Sequence, residues 1–481
     1  MHRTHHLRDV NRPANTHGPC AAIFDVGRSF AKLSIVTACG DVLSEARVGI
    51  PAQHTGVYGA LDTDTLFNWL LAQLKAVAAL HPIDRIIPVA HGAACAFIDA
   101  DGHLVQPIQD YDSPIPNTVA ADYARRRPGF DETLSPPLPK GLNLGAQIFW
   151  HARRDPEMFA RVKTIVPYAQ YWAWRLSGEL ASEITSLGCH SDLWSPTRGD
   201  FSSLAHDEGW ARRFAPLRQA WDTLGTLRPE IALATGLDGV RVLCGVHDTN
   251  AALSASLHHW NDQGNDGNDW ALLSTGTWFI AMAPGASLNH LKAERDCLGA
   301  VDIYGRPVPC ARFMGGRAYQ IITRGRGGAV PIDAATLRTV MQDSALALPS
   351  FLDAGGPYPG HRGEIRDLAH DNSQTRAALG MLYQALVSHT CLNLIQSGRP
   401  LLIEGMAARN PTLCGLIAAL HEAPVYVNAE VSGVTLGATA LAFHGEAPAP
   451  KLNYSRAEPL LTAEVQAYGR LWTAAVDAHA A

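Results

Sequence analysis

The sequence predicts a mixed α/β fold built from two similar halves. A short apolar strand, a tight turn with a glycine and a returning strand occur at residues 21–37 and again at residues 272–280. In both halves, apolar runs typical of strands alternate with segments of helical periodicity. Polar residues directly follow several of these strands, and loops at the carboxyl ends of strands commonly form the functional site of α/β proteins.

Both turns have the composition of a phosphate-binding loop. They contain Asp25, Gly27, Arg28, Ser29 and Lys32 in the first copy, and Ser274, Thr275, Gly276, Thr277 and Trp278 in the second. Glycine lets the backbone approach a ligand closely, and hydroxyl groups donate hydrogen bonds to phosphate oxygens. Two such turns predict a nucleotide bound from both sides of a cleft, while an ordinary surface turn is the alternative for each copy.

The first half begins with a predicted β-meander, which is followed by a helix and a buried strand. The predicted strands cover residues 20–25, 32–37, 42–48 and 86–90, and the predicted helix covers residues 63–80. His91 and Gly92 directly follow the buried strand. We therefore expect a mixed α/β domain whose site lies at this edge of the sheet.

The middle of the chain is predicted to be mostly helical, and the second half repeats the pattern of the first. The predicted helices cover residues 144–153, 156–163, 168–177, 375–396 and 411–420. A further strand, residues 401–403, carries the loop 404–410. Residues 258–269 are polar and rich in turn formers, which is typical of an exposed connection. The predicted organisation is a flexible leader (1–19), an N-terminal domain (20–257) and a C-terminal domain (258–481).

Composition excludes several classes of protein. A length of 481 residues is too great for one ordinary core, and a net charge of −6 gives no electrostatic footprint for nucleic acid or an anionic membrane. The nine cysteines form no CxxC pair, which argues against a disulfide framework or a zinc site. No apolar run reaches the length of a membrane span or a signal peptide. These observations predict a cytoplasmic protein.

Short motifs in a particular order connect the chain to a family. They cover residues 25–32, 91–92, 167–186, 244–252, 274–278, 405–410 and 433–438. In this order and spacing the chain resembles the FGGY carbohydrate kinases from residue 21 to residue 443. The resemblance implies two actin-like (ribonuclease H-like) domains of the sugar kinase, Hsp70 and actin type, facing across a cleft. The N-terminal domain would bind the sugar and the C-terminal domain the nucleotide.

Asp248 is the candidate catalytic base. Phosphoryl transfer to a hydroxyl requires an acceptor for the hydroxyl proton, and Asp248 follows an apolar strand over residues 240–244. The alternative is that Asp248 caps the helix that begins at Thr249. The resemblance implies the catalytic role. It also implies that Asp25 and Asp248 hold Mg²⁺, whereas local sequence alone allows Asp25 to be an ordinary turn aspartate.

The resemblance further implies ATP as the phosphate donor. The expected phosphate contacts are Gly27, Arg28, Ser29, Lys32, Thr275, Gly276 and Thr277, and the expected adenosine end is formed by Gly405, Met406, Ala407 and Asn410. Many family members have a small hydroxyl residue where this chain has Arg28. Its guanidinium is expected either to grip the transferring phosphate or to pair with Asp25, and the sequence does not choose between the two.

His91, Gly92, Gln147, Trp278 and Asp248 are the candidate sugar-binding residues. A histidine after a buried strand is also commonly structural, and buried aromatic residues are commonly core. The details around His91 and residues 313–317 resemble kinases of the rhamnulose or fuculose type, which implies a 6-deoxy-hexulose as substrate.

The alternatives are a pentulose (ribulose or xylulose) or glycerol kinase on the same fold and a non-catalytic sugar-sensing regulator. The expected partner is a small sugar, with neither nucleic acid nor membrane, and a homodimer is one alternative for the assembly.

Overall fold

The structure is a computed structural model that describes residues 18–262, 269–326, 332–352, 355–395, 398–429 and 432–479. Most of the predicted leader (residues 1–17) and the centre of the predicted connection (residues 263–268) lie outside the described residues. The described residues divide into two compact units. Unit 1 comprises those within 1–262, 299–307 and 433–451, and unit 2 comprises those within 263–298, 308–432 and 452–481.

The described residues form strands and helices in mixed order along the chain. The strands are β1 (Cys20–Val26), β2 (Phe30–Val36), β3 (Val42–Gly49), β4 (Ala52–His54), β5 (Gly59–Leu61), β6 (Ile83–Ala90), β7 (Cys95–Ile98), β8 (Thr164–Pro167), β9 (Trp194–Ser195), β10 (Asp200–Phe201), β11 (Thr223–Thr226), β12 (Arg241–Leu243), β13 (Val246–His247), β14 (Ala271–Thr275), β15 (Phe279–Met282), β16 (Cys297–Val301), β17 (Pro307–Phe313), β18 (Leu346–Leu348), β19 (Glu364–Arg366), β20 (Leu401–Gly405), β21 (Val425–Asn428) and β22 (Ser455–Arg456).

The helices are α1 (Thr63–Ala78), α2 (Asn117–Arg126), α3 (Phe130–Thr133), α4 (Leu144–Arg154), α5 (Pro156–Ala160), α6 (Tyr168–Ser177), α7 (Ile184–Leu187), α8 (Ser203–Asp207), α9 (Pro229–Thr235), α10 (Asp248–Asp262), α11 (Gly315–Ile322), α12 (Ala334–Gln342), α13 (Ser373–Leu394), α14 (Pro411–Leu420), α15 (Gly433–Ala442) and α16 (Thr462–His479). The predicted α/β fold class, the β-meander and helix α1 are confirmed. The predicted connection begins later than expected, because α10 continues to Asp262.

The central sheet of unit 1 has the strand order β11-β12-β6-β1-β2-β3, and β13 also pairs with β6. Strand β1 is antiparallel to β2 and parallel to β6, while β13 is parallel to β6. Nearly every residue of β1 is buried, as expected for a strand covered on both faces. In this register Val26 and His247 both pair with Ala90. The carboxyl ends of β1, β6 and β13 therefore lie side by side, at the same edge of the sheet.

Helices α10 and α15 pack closely together within unit 1. A Cβ atom at Gly437 of α15 would lie 1.7 Å from the carbonyl oxygen of Ala251 in α10. Only a glycine permits this approach of the two backbones. The contact fixes the helix that begins with Asp248 against the helix that contains Thr435.

Unit 2 contains a second sheet, with the strand order β16-β17-β15-β14-β20-β21-β22. Strand β14 is antiparallel to β15 and parallel to β20, so that Thr275 pairs with Gly405. The predicted second hairpin and the predicted loop after residues 401–403 thus start side by side. The long helix α13 is buried over most of its length and begins with a capping box at Asn372.

All nine cysteines lie among the described residues, and none of them forms a disulfide. None of the described helices has the length and apolar character needed to cross a bilayer.

Candidate active site

The sheet edge of unit 1 brings together three of the predicted site residues. Asp25 lies in β1 one residue before its end, His91 follows β6, and Asp248 follows β13. Their strands are neighbours in the sheet, which explains why residues far apart in sequence meet here. Lys32 joins them from β2, where it pairs with Asp25 across the hairpin.

The carboxylate of Asp25 is in a charged but poorly solvated environment. Its side chain is 18% exposed, and the Nζ atom of Lys32 lies 3.9 Å from its Oδ2 atom. Lys32 also donates a hydrogen bond of 2.8 Å to the Oγ1 atom of Thr435. Burial raises the pKa of Asp25 to about 6; Lys32 opposes this rise, and the charge of Asp248 adds to it. Carboxylate oxygens are ligands that a hard divalent cation prefers, and such a cation beside Asp25 and Asp248 would offset their mutual repulsion.

The carboxylate of Asp248 has one engaged and one available oxygen. Its Oδ1 atom accepts hydrogen bonds from the backbone nitrogen (2.6 Å) and the hydroxyl (3.2 Å) of Thr249. The Oδ2 atom accepts no hydrogen bond from the described residues, and the side chain is 28% exposed. These bonds come from the adjacent residue, and α10 begins at Asp248 itself, so they are not the bonds from the second or third amide of a helix that define an N-cap. They leave the second oxygen accessible to a hydroxyl that donates a proton.

His91 is buried, and its environment favours the neutral form of the imidazole ring. Its Nδ1 atom donates to the carbonyl oxygen of Gly92 at 2.8 Å, which leaves Nε2 as the acceptor of the neutral ring. Burial lowers the pKa of His91. The ring packs edge-on against Tyr111 and at a tilt against Tyr168, with centroid distances of 5.3 and 4.9 Å. The absence of a side chain at Gly92 leaves room for the ring of His247, because a Cβ at position 92 would lie 2.9 Å from the Nε2 atom of His247.

Arg28 has partners that neither sequence alternative anticipated. Its guanidinium donates to the Oδ2 atom of Asp112 from Nη2 (2.8 Å) and Nε (3.1 Å), and Nη2 lies 3.1 Å from Asp110. It also lies over the ring of Tyr111, 5.5 Å from the centroid. Arg28 thus links the β1–β2 hairpin to the loop that supports His91. Gly27 and Ser29 are in the same turn, where the Gly27 amide donates to the carbonyl oxygen of Phe30.

Gln147 lies beside this site but uses its amide group to support the backbone. The side chain is buried, and its nitrogen donates to the carbonyl oxygens of Ala93 (2.7 Å) and Gly141 (2.5 Å). These bonds hold the loop after Gly92 against helix α4. A sugar contact by Gln147 remains a prediction.

The hairpin of unit 2 is joined to the loop after β20. The hydroxyl of Thr275 donates to the carbonyl oxygen of Glu404 and accepts from the amide of Ala407 at 2.9 Å. The amide of Met406 donates to the carbonyl oxygen of Thr275, also at 2.9 Å. Gly405 has a φ of +85°, and a Cβ there would lie 2.0 Å from the same oxygen. The two segments that the sequence assigned to phosphate and adenosine therefore form one structure.

A cavity of about 570 Å³ lies next to this junction. It is lined by the predicted residues Gly276, Thr277, Met406, Ala407 and Asn410, and by Phe279, Gly316, Arg317, Tyr319, Gln320, Thr323, Gly325, Met381, Gln384 and Leu413. The second group was not predicted as nucleotide-binding. Residues 313–317 contributed only to the family resemblance, although the glycine pair at the start of α11 is a sequence sign of close backbone approach. A Cβ at Gly316 would lie 2.4 Å from the carbonyl oxygen of Gly276.

Three predicted residues of unit 2 have structural partners as well. The amide of Gly276 donates to the carbonyl oxygen of Trp278 at 2.8 Å, which closes the hairpin. Asn410 caps α14 by accepting from the amide of Leu413. The guanidinium of Arg312 lies 4.8 Å from the centroid of the Trp278 ring. The predicted ligand contacts of these three residues remain predictions.

Two comparisons with known proteins identify the family. A family model described as "Carbohydrate kinase FGGY, C-terminal domain" matches residues 267–450. The crystal structure of a carbohydrate kinase from Novosphingobium aromaticivorans is 37% identical in sequence, with a TM-score of 0.84 over 96% of this chain and 99% of that chain. The chain belongs to the FGGY carbohydrate kinase family. The predicted family, the sugar kinase fold and the enzyme class, a phosphotransferase, are confirmed.

Two other sugar kinases are similar to the chain at lower identity. A stretch of 139 residues is 29% identical to L-fuculokinase from Haemophilus influenzae, and it covers only 28% of this chain and 28% of that protein. The structure of a xylulose kinase from Lactobacillus acidophilus has a TM-score of 0.80 over 96% of this chain and 97% of that chain, at 14% identity. At that identity the likeness concerns the fold.

Proposed function

We propose that the protein is an ATP-dependent sugar kinase that transfers the γ-phosphate of ATP to a hydroxyl of a ketose. The observation that carries the proposal is the sheet edge of unit 1, where Asp25, Asp248 and neutral His91 converge. Membership of the FGGY family and the cavity of unit 2, which is lined by backbone and by uncharged side chains apart from Arg317, support ATP as the donor.

In this mechanism Asp248 accepts the proton of the attacking hydroxyl. Its Oδ2 atom is the acceptor, while the bonds from Thr249 to Oδ1 hold the carboxylate in one orientation. His91 binds the sugar, because its Nε2 atom accepts a hydrogen bond from a hydroxyl that faces it. Both groups orient the acceptor for in-line attack, which is a large part of catalysis in phosphoryl transfer.

Asp25 and Asp248 would hold Mg²⁺. Bound there, the ion would neutralise charge on the phosphate oxygens of the nucleotide. Lys32 adds a fixed positive charge beside Asp25 and is itself oriented by its bond to Thr435. Thr275, Gly276 and Thr277 are the proposed phosphate contacts of unit 2, and Gly405, Met406, Ala407 and Asn410 the proposed adenosine contacts.

We further propose a 6-deoxy-hexulose, such as L-fuculose or L-rhamnulose, as the acceptor. The motif resemblance around His91 and the partial match to an L-fuculokinase support this choice. Pentulose kinases and glycerol kinases have the same fold, so a pentulose and glycerol are the competing substrates. A sugar-sensing regulator without transfer chemistry would not need a carboxylate with an accessible oxygen at position 248.

The test is ADP release with Mg²⁺ and ATP across L-fuculose, L-rhamnulose, L- and D-ribulose, D-xylulose and glycerol. The variants are Asp248→Asn and, as a control for the same change of charge, Asp238→Asn at an exposed position of unit 1. We expect turnover on a deoxy-ketose that falls by a factor on the order of a hundred or more in Asp248→Asn only. Sugar binding without turnover on any acceptor would favour the regulator, and undiminished turnover in Asp248→Asn would remove the proposed base.

A further inference from the structure

Residues 182–186 form a motif that the proposed chemistry leaves without a role. The segment leads into the single-turn helix α7, and Glu183 and Thr185 are completely buried. The Oε2 atom of Glu183 accepts hydrogen bonds from the amide of Thr185 (3.0 Å), the hydroxyl of Thr185 (2.5 Å) and the amide of Ser186 (3.4 Å). Glu183 is thus the N-cap of α7, because its side chain accepts hydrogen bonds from backbone amides in the first turn of the helix.

The hydroxyl of Thr185 also reaches the strand that precedes the proposed base. The backbone nitrogen of His247 donates to its Oγ1 atom at 3.1 Å. A hydroxyl has one proton and two lone pairs. Since the hydroxyl proton points at Glu183, the lone pairs of the Thr185 oxygen are turned toward the amide of His247. The hydroxyl is therefore held in one rotational state by the buried carboxyl group of Glu183.

His247 is the residue directly before Asp248, and it is fixed by its side chain as well. Its Nδ1 atom donates to the Oδ1 atom of Asn250 at 2.7 Å, and the amide nitrogen of Asn250 donates to the carbonyl oxygen of Val301. The Nε2 atom of His247 lies 3.4 Å from the Oδ1 atom of Asp248. Strand β13 has only two residues, so its pairing with β6 provides few bonds to hold the start of α10.

We propose that Thr185 is a positioning residue that anchors the backbone of His247 and thereby sets the place of the Asp248 carboxylate. This inference rests on the proposed kinase function. Glu183 acts through Thr185 by orienting its hydroxyl. Because an error of about 1 Å in the place of a reacting group costs about a hundredfold in rate, an anchor at this point affects turnover before it affects binding.

The test compares Thr185→Val, Thr185→Ser and Thr235→Val. Valine has the shape of threonine but leaves the amide of His247 without its acceptor, whereas serine keeps the hydroxyl. Thr235 is the matched control, because it is a buried threonine of the same unit whose hydroxyl bonds within its own helix α9, to the carbonyl oxygen of Ile231 at 2.8 Å. The measurements are kcat, KM for sugar and ATP, and amide hydrogen exchange at His247.

We expect kcat of Thr185→Val to fall roughly ten- to a hundredfold with both KM values within about threefold, and exchange at His247 to accelerate. Thr185→Ser should retain kcat within about threefold, and Thr235→Val should lower the melting temperature without this loss of kcat. If Thr185→Val does not fold, Thr185→Ala replaces it in the same comparison with serine. An active wild type in which the valine or alanine variant keeps its kcat, or serine fails to restore it, overturns this inference alone. A wild type inactive on every acceptor overturns the proposed function and this inference together.

Discussion

At the scale of single residues, Glu183 combines full burial with an incomplete set of hydrogen bonds. Its Oε1 atom has no hydrogen-bond partner among the described residues, while Oε2 accepts three bonds. Burial raises the pKa of Glu183 to about 7, although the bonds from Thr185 and Ser186 lower it. The folded protein therefore favours the protonated acid more strongly than the unfolded chain does.

This difference predicts that the free energy of unfolding falls as pH rises. Below about 4.5, the ordinary value, both states are protonated; between 4.5 and about 7 the unfolded state binds fewer protons, so stability is lost through this window. Relative to Glu183→Gln, the wild type should lose roughly 3 kcal/mol between these limits. Denaturant unfolding at several pH values measures this loss, with Glu179→Gln at an exposed site as control. Parallel pH profiles for wild type and Glu183→Gln would contradict it.

Arg28 offers a second prediction at this scale. The guanidinium pairs with Asp112 and lies over Tyr111, whose ring packs edge-on against His91. We therefore expect Arg28→Ala to raise KM for the sugar several-fold and to leave KM for ATP nearly unchanged. The stability change should stay below about 1 kcal/mol, because the pair is partly exposed.

Steady-state kinetics with each substrate varied in turn distinguishes this role from a phosphate contact. Asp112→Asn serves as the partner variant, and its effect on the sugar KM should not add to that of Arg28→Ala. A loss confined to kcat or to KM for ATP would instead assign Arg28 to the transferring phosphate.

At the scale of elements, the packing of α10 on α15 determines where the proposed base can lie. The backbones approach so closely that Gly437→Ala would place a methyl group against the carbonyl oxygen of Ala251. Backbone at both sides cannot move aside as a flexible side chain does. We expect a loss of about 2 kcal/mol or more, or failure to fold. Thermal unfolding beside Gly49→Ala, where a Cβ meets nothing within 4 Å, measures the effect. Equal melting temperatures in the two variants would be inconsistent with this packing.

The elements of the fold differ in how well the local sequence predicts them. The hairpin turns follow from local chemistry and are present close to where they were predicted. Asn410 was predicted only as an adenosine contact, and the structure shows that it also caps α14. The short strand β8 was missing from the predictions, since four residues ending in proline carry no readable alternation. Such a strand exists because β7 supplies its hydrogen-bond partners.

At the scale of the whole molecule, the proposed sugar and nucleotide sites belong to different compact units. Each site should therefore be weakened separately. His91→Asn removes the Nε2 acceptor of unit 1 and should abolish sugar binding while ADP still binds. Met406→Glu places a charge at the exposed rim of the cavity of unit 2, where Met406 is 69% exposed, and should weaken ADP roughly tenfold.

Isothermal titration of each variant with sugar and with ADP checks this separation. Met406→Gln has nearly the same shape without the charge and should bind ADP almost as the wild type does. Loss of ADP binding in His91→Asn, or an equal effect of glutamine and glutamate at position 406, would show that the sites were assigned wrongly.

The sequence by itself determined the fold class, the two hairpins and the residues that end their strands. Asp25, His91 and Asp248 were recognisable because apolar periodicity and turn chemistry are local properties, and each of these residues directly marks the end of a local pattern. The order of the motifs carried the family, since it depends only on the linear sequence.

The tertiary structure alone decided which groups these residues meet. Arg28 pairs with Asp112 across 84 positions, Thr185 bonds to His247 across 62, and Lys32 bonds to Thr435 across 403. No local pattern encodes such a pairing, because it arises only when sheet register and helix packing bring distant segments together. For the same reason the sequence did not predict that Arg317 and Tyr319 line the cavity of unit 2 together with Met406. The local sequence therefore determines which residue types form the candidate site, and tertiary packing determines which side chains they contact.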